Sequence, residues 1–257
     1  MMRSAQNRIA LGALAFAAAC AFSIGCGPIP GRPGPGPEVV RPEEVLAFPT
    51  LYKQNCSACH GENGKNGAAI SLANPVYIEL AGETHLRDVI ARGVPGKLMP
   101  AFAASSGGML TDAQVTALAQ GIVKQWGTPG ILQGQNPPPY LASLPGNPEH
   151  GQQAYAVFCA RCHGTTGEGG PADGIPGPGK AKLGSIVDPS YLALISDQNL
   201  RSVLIAGRPD QAMPDWRSDV ASTLPQQSMT DQQITDILAW MAARRVANPG
   251  QPYSSHP

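Results

Sequence analysis

The sequence predicts an all-α fold: two tandem copies of one domain joined by a Pro/Gly-rich linker. Three observations predict it. The run Cys56-Ser-Ala-Cys59-His60 returns as Cys159-Ala-Arg-Cys162-His163, 103 residues later. Asn74–Phe102 aligns without a gap to Asp188–Trp216, 114 residues later, and matches at ten of 29 positions. No alternating strand pattern competes with the helical spacing of apolar residues. The two offsets differ by 11 residues, so the second copy carries a longer loop after its His, within Gly164–Ser185. Two copies make a tandem duplication, too few for a solenoid.

Arg3 and Arg8 precede a charge-free apolar stretch from Ile9 to Ile24. At about 16 residues it is shorter than the roughly 20 a spanning helix needs, and it reads as an export leader over residues 1–26. Ser23-Ile24-Gly25-Cys26 resembles a lipobox, which makes Cys26 the candidate lipidation site, although Ser23 stands where a branched aliphatic residue is usual. Residues 27–42 form a tether, and nine of the eleven residues from Gly27 to Pro37 are Gly or Pro. Domain one is expected over residues 43–127, a linker over 128–146 and domain two over 147–257.

Helices are expected at Glu43–Asn55 and Glu149–Phe158, leading into the Cys motifs, and at Thr84–Arg92 and Asp197–Ala206. Gly93 and Gly207 end the middle pair, and Pro95 and Pro209 follow. The last helices open with Thr111…Gln114 and Thr230…Gln233, each a capping-box pattern. Val115, Leu118, Ala119 and Ile122, and likewise Ile234, Ile237, Leu238 and Met241, then give one apolar face per helix.

Composition narrows the function. Eighteen basic residues balance 18 acidic ones, which argues against nucleic acid as a partner. Aromatic residues are only 5 % of the chain, thin material for two ordinary cores. Four of the six cysteines sit in Cys-x-x-Cys-His runs, a pattern that matches covalent haem attachment. Cys56 and Cys59, and Cys159 and Cys162, can each reach two vinyl groups of one porphyrin, and His60 and His163 then offer an imidazole to the iron. The macrocycle would supply the missing apolar mass. A dithiol redox pair expects a βαβ context absent here, and one zinc site would have to gather motifs 103 residues apart. Tyr52 and Tyr155, four residues before each first Cys, are expected to pack near the haem and the last helix.

Met99 and Met213 are the candidate sixth ligands. Both precede Pro and both fall in the gap-free alignment. Simple core filling is the competing role for a methionine. Met109 and Met229 do not align with each other, and His85, His150 and His256 lack counterparts and are read as surface histidines. Arg87 and Arg201 are matched cations that can pair with haem propionates or lie on a solvated helix face.

These residues together resemble class I cytochrome c: Cys56-x-x-Cys59-His60-Gly61 with Met99-Pro100, and Cys159-x-x-Cys162-His163-Gly164 with Met213-Pro214, each between an N-terminal and a C-terminal helix. The resemblance covers about residues 43–127 and 147–247. It implies crossed terminal helices, two covalently bound haem c groups with His/Met ligation, and one-electron transfer. Tethered two-domain chains of this kind resemble di-haem subunits of bacterial respiratory complexes or cytochrome c4-type carriers. Many family members use a Pro carbonyl after the His to orient the imidazole; Ala69-Ile70-Ser71-Leu72 offers none in domain one.

The expectation is a carrier or relay outside the cytoplasm, periplasmic or on the outer face of the cell membrane, held by a lipid anchor. Its partners would be redox proteins, including a membrane respiratory complex. The rival is a di-haem enzyme, a peroxidase or a dehydrogenase-associated protein, with one labile axial position. No catalytic residue is assigned, because no extra His or acid recurs beside the Met-Pro pairs.

Overall fold

Short polar caps start most of the helices in the computed structural model, which describes residues 36, 39–171, 182–217 and 228–246. The leader, Cys26, most of the tether and His256 lie outside the described residues. In domain one a 3-10 turn at Pro42–Glu44 precedes α1 (Phe48–Asn55), α2 (Ser57–His60), α3 (Pro75–Arg92) and α4 (Asp112–Trp126). In domain two the order is α5 (Pro148–Phe158), α6 (Ala160–His163), α7 (Pro189–Leu194), α8 (Asp197–Ala206) and α9 (Asp231–Ala242). The expected helix from Glu43 is interrupted. Pro49 lacks an N–H and fits only the first turn, so the α-helix proper starts at Phe48.

Two elements lie outside the helices expected from the sequence: the first part of α3, and α7. Each follows an Asx cap and a Pro. The Asn74 side chain accepts from Val76 N and Tyr77 N, and that of Asp188 from Ser190 N and Tyr191 N. α3 breaks at Gly82, where φ is +74°. The second copy breaks at the aligned place, between α7 and α8, and Ser196 caps the new helix.

Both predicted capping boxes form, with Thr111 and Gln114 opening α4 and Thr230 and Gln233 opening α9. The predicted apolar faces of α4 and α9 are buried. α1 crosses α4 in domain one and α5 crosses α9 in domain two, so each first helix meets its last. The loop after α6 is closed at its base by a two-residue antiparallel pair, β1 (Gly170–Pro171) with β2 (Lys182–Leu183). This pair aside, the named elements are helical.

The described residues from Pro42 onward belong to one compact unit. The Pro-rich linker is packed against both domains. Tyr140 Oη lies 2.8 Å from His85 Nε2 of α3, and its carbonyl accepts from Gln198 Nε2 and Arg201 Nε of α8. No described helix is long and apolar enough to cross a membrane.

Candidate haem-binding sites

The two cysteine turns have nearly the same backbone. Cys56 has φ −121° and ψ −33°, and Cys159 has φ −120° and ψ −33°. His60 N donates to Cys56 O and His163 N to Cys159 O, each at 3.0 Å. Gly61 and Gly164 follow at φ +82° and +77°, a region that favours glycine. A Cβ on Gly61 would lie 1.8 Å from Lys65 O, so the turn also needs the missing side chain. The tyrosines four residues before each turn brace it: Tyr52 Oη donates to Gly61 O (2.8 Å) and Tyr155 Oη to Gly164 O (2.5 Å). Their rings pack on the last helices, Tyr52 edge-on to Trp126 and Tyr155 stacked on Trp240.

The donor set suits a thioether-linked haem. None of the four cysteines of the two turns is in a disulfide. Burial first, and then the neighbouring Cys, pushes Cys56 and Cys159 up to about 12. A dithiol redox centre needs a lowered thiol pKa, so that rival loses ground. His60 is pushed below its usual value, chiefly by burial, while the bond to Ile70 works the other way. The imidazole is therefore neutral near pH 7, as a metal ligand must be. Its Nδ1 is 2.8 Å from Ile70 O, which leaves Nε2 as the free nitrogen. The orienting carbonyl that the sequence offered no Pro for thus comes from Ile70. His163 is also shifted down by burial, and its buried Nδ1 has no acceptor among the described residues.

Despite the insertion, both post-His loops return to the same glycine carbonyl. Ala73 N and Ser71 Oγ donate to Gly64 O in domain one, and Ile186 N and Ser185 Oγ to Gly167 O in domain two. The methionine loops also match. Val94 N donates to Met99 O and Arg208 N to Met213 O, each at 2.9 Å. Gly93 and Gly207 do more than stop their helices. A Cβ on either would come within 2.6 Å of the Met-Pro turn that packs on it, at Pro100 C in one copy and Pro214 C in the other. Met99 and Met213 are partly buried; Met109 is 90 % exposed. Met229 N bonds Trp216 O as Leu110 N bonds Phe102 O, so Met229 is the counterpart of buried Leu110.

The matched arginines diverge. Arg201 is 1 % exposed, and each of its three nitrogens already donates to protein: Nε to Pro139 O and Tyr140 O, Nη1 to Thr235 Oγ1, and Nη2 to Pro139 O and Asp231. It clamps the linker, a role beyond the propionate pairing and the solvated helix face that the sequence left open. Arg87 Nε reaches Thr116 Oγ1 at 3.3 Å, which ties α3 to α4. His85 is held by Tyr140, and His150 is exposed.

Sequence comparison places families on this geometry. The profile described as cytochrome c oxidase, cbb3-type, subunit III matches residues 44–120, and the profile described as cytochrome c matches residues 148–244. Both halves are cytochrome c domains. The chain belongs to the class I cytochrome c family, and its two domains carry two covalently bound c-type haems. This di-haem cytochrome is 26 % identical over 162 residues to the cbb3-type cytochrome c oxidase subunit CcoP of Azospirillum sp. (strain B510), covering 57 % of this chain and 50 % of that one. It is 34 % identical over 100 residues to the dihydro-heme d1 dehydrogenase of Pseudomonas aeruginosa, covering 38 % of this chain and 20 % of that one. The chain thus spans half the length of the first relative and a fifth of the second. A chain of the reducing HAO-like protein complex of Kuenenia stuttgartiensis superposes at a TM-score of 0.42 with 17 % identity, over 82 % of this chain and 99 % of that one.

Proposed function

We propose that this di-haem cytochrome is a one-electron relay between redox proteins. Cys56 and Cys59, and Cys159 and Cys162, hold the haems by thioether bonds. His60 and Met99 ligate one iron, His163 and Met213 the other. Bound haem supplies one-electron chemistry, in which an iron(II) in one partner is oxidised as an iron(III) in the other is reduced, with no bond made or broken. The protein's own residues bind, orient and bury. Ile70 fixes the His60 ring, Tyr52 and Tyr155 brace the cysteine turns, and Gly93 and Gly207 let the Met-Pro turns approach.

The observation that carries the reading is the duplicated site: the same cysteine turn and the same Met-Pro loop, twice, with equivalent hydrogen bonds. A filled sixth position favours a carrier over an enzyme, and thioether ligation raises the potential. Domain one has six basic and seven acidic residues and domain two eight and ten, so neither offers a strong single-sign docking charge. In this reading the partner is a membrane respiratory complex, reached by a chain exported to the periplasm or outer membrane face and anchored through a lipid on Cys26.

The test is carbon monoxide binding to the reduced protein. The wild-type chain is expected not to bind it, while Met99→Leu and Met213→Leu each open one haem. Strong binding by the wild type would favour the enzyme reading and overturn the carrier.

A further inference from the structure

The amide of Asn74 serves two domains. The residue is 2 % exposed. Its Oδ1 accepts from Val76 N at 3.1 Å and Tyr77 N at 3.3 Å, which caps α3 in domain one. Its Nδ2 donates to Ala206 O at 3.0 Å and Gly207 O at 3.2 Å, at the end of α8 in domain two. Carbonyls at a helix C-terminus lack helical partners, so the amide satisfies groups that would otherwise be buried unpaired.

The position matters because of what lies on either side. Asn74 is four residues beyond Ile70, the acceptor of His60 Nδ1. Gly207 is the residue on which the Met213-Pro214 turn packs. The same face carries further bonds between the domains. Asn66 N donates to Asp210 Oδ2 (2.9 Å), Arg208 Nη2 donates to Gly67 O (3.2 Å), and Lys97 Nζ donates to Ala193 O (2.8 Å); within domain two Arg208 Nη2 also holds Asp210 Oδ2 (3.2 Å). The aligned residue in domain two, Asp188, caps α7 in the same way, but it is exposed and a carboxylate donates nothing. The cap alone is met by either residue. The bond between domains needs the amide.

We propose that Asn74 is a positioning residue that locks the two cytochrome domains into one docked unit, with the loop that orients His60 held against the loop that presents Met213. The proposal rests on the di-haem relay reading, for which this docking sets the path between the domains.

The test is Asn74→Asp in the full chain carrying its haems. The variant keeps the helix cap, removes both donors to domain two and sets a carboxylate against two carbonyls. Amide hydrogen exchange of residues 206–213 is expected to speed up about tenfold, with α9 unaffected, as the docked population falls. After flash reduction of one haem, electron exchange between the domains is expected to slow by about the same factor. The absorbance spectra of both haems should stay as in the wild type. Arg208→Met, which removes the bond to Gly67 together with the ion pair to Asp210, should shift both rates in the same direction and serves if Asn74→Asp does not fold. Wild-type exchange and transfer rates in a folded variant would overturn the proposal. A wild-type chain with fewer than two haems would overturn the relay reading instead, and the hydrogen-exchange arm would still decide the docking.

Discussion

The two helix crossings place their glycine on opposite helices. In domain one, Phe48 of α1 lies on Gly121 of α4, and a Cβ on that glycine would fall 2.1 Å from the ring. In domain two the counterpart of Phe48, 103 residues on, is Gly151 of α5. The counterpart of Gly121, counted from the capping-box threonines, is Trp240 of α9. A Cβ on Gly151 would fall 2.0 Å from Asp236 O and 2.8 Å from Trp240 Cβ. The glycine of the crossing therefore lies on the last helix in domain one and on the first helix in domain two. The Trp240 ring lies by Tyr155 and Gly167, where domain one has Trp126 by Tyr52 and Gly64. The duplication kept a close glycine contact at the crossing without keeping it on the same helix.

The sharpest contrast between the copies is expected at the matched arginines. Arg201→Met strips a buried charge network and leaves Asp231 and the linker carbonyls without their cation. It should cost about 3–5 kcal/mol in denaturant unfolding of domain two. Arg87→Met, at the aligned position, removes one long hydrogen bond and should cost about 1 kcal/mol or less. Equal losses at the two positions would mean that the clamp is not the difference between them.

Next come the crossings themselves. Gly151→Ala drives a methyl into a backbone carbonyl that cannot rotate away, and should cost about 3 kcal/mol. Gly121→Ala meets a phenyl ring that can shift, and should cost about 1–2 kcal/mol. Phe48→Gly in domain one opens a void worth about 3–5 kcal/mol. Equal losses at Gly151 and Gly121 would refute the difference between the two crossings.

The smallest effect should be the most symmetrical. Tyr52→Phe and Tyr155→Phe each lose one hydrogen bond to the glycine after the His, at about 1 kcal/mol apiece. Unequal losses would show that the two turns are braced differently.

Signals within a few residues were legible in the sequence. The capping boxes, the apolar faces of α4 and α9, the cysteine turns and the Met-Pro alignment all repeat at short, regular spacing. The Asn74-Pro75 and Asp188-Pro189 starts were equally local, but they introduce helices of only about two turns, whose apolar spacing is too brief to register. The contacts that join distant parts were not legible. Ile70 orients His60 through a backbone carbonyl, which any residue could supply. The sequence presents Arg201 as a matched cation, but its acceptors lie on the linker and on α9, 30 or more residues away in sequence. Asn74 meets Ala206 across 132 residues, with no periodicity to announce it. The linker read as a divider because Pro and Gly cannot pack a core, yet its backbone carbonyls remain open to Arg201.

The central claim is two covalently held, separately titrating iron centres in one chain. A redox titration of the purified protein, with haem counted per chain, tests it most directly. Two haems per chain and two one-electron steps are the expected result; one haem, or none, would contradict it.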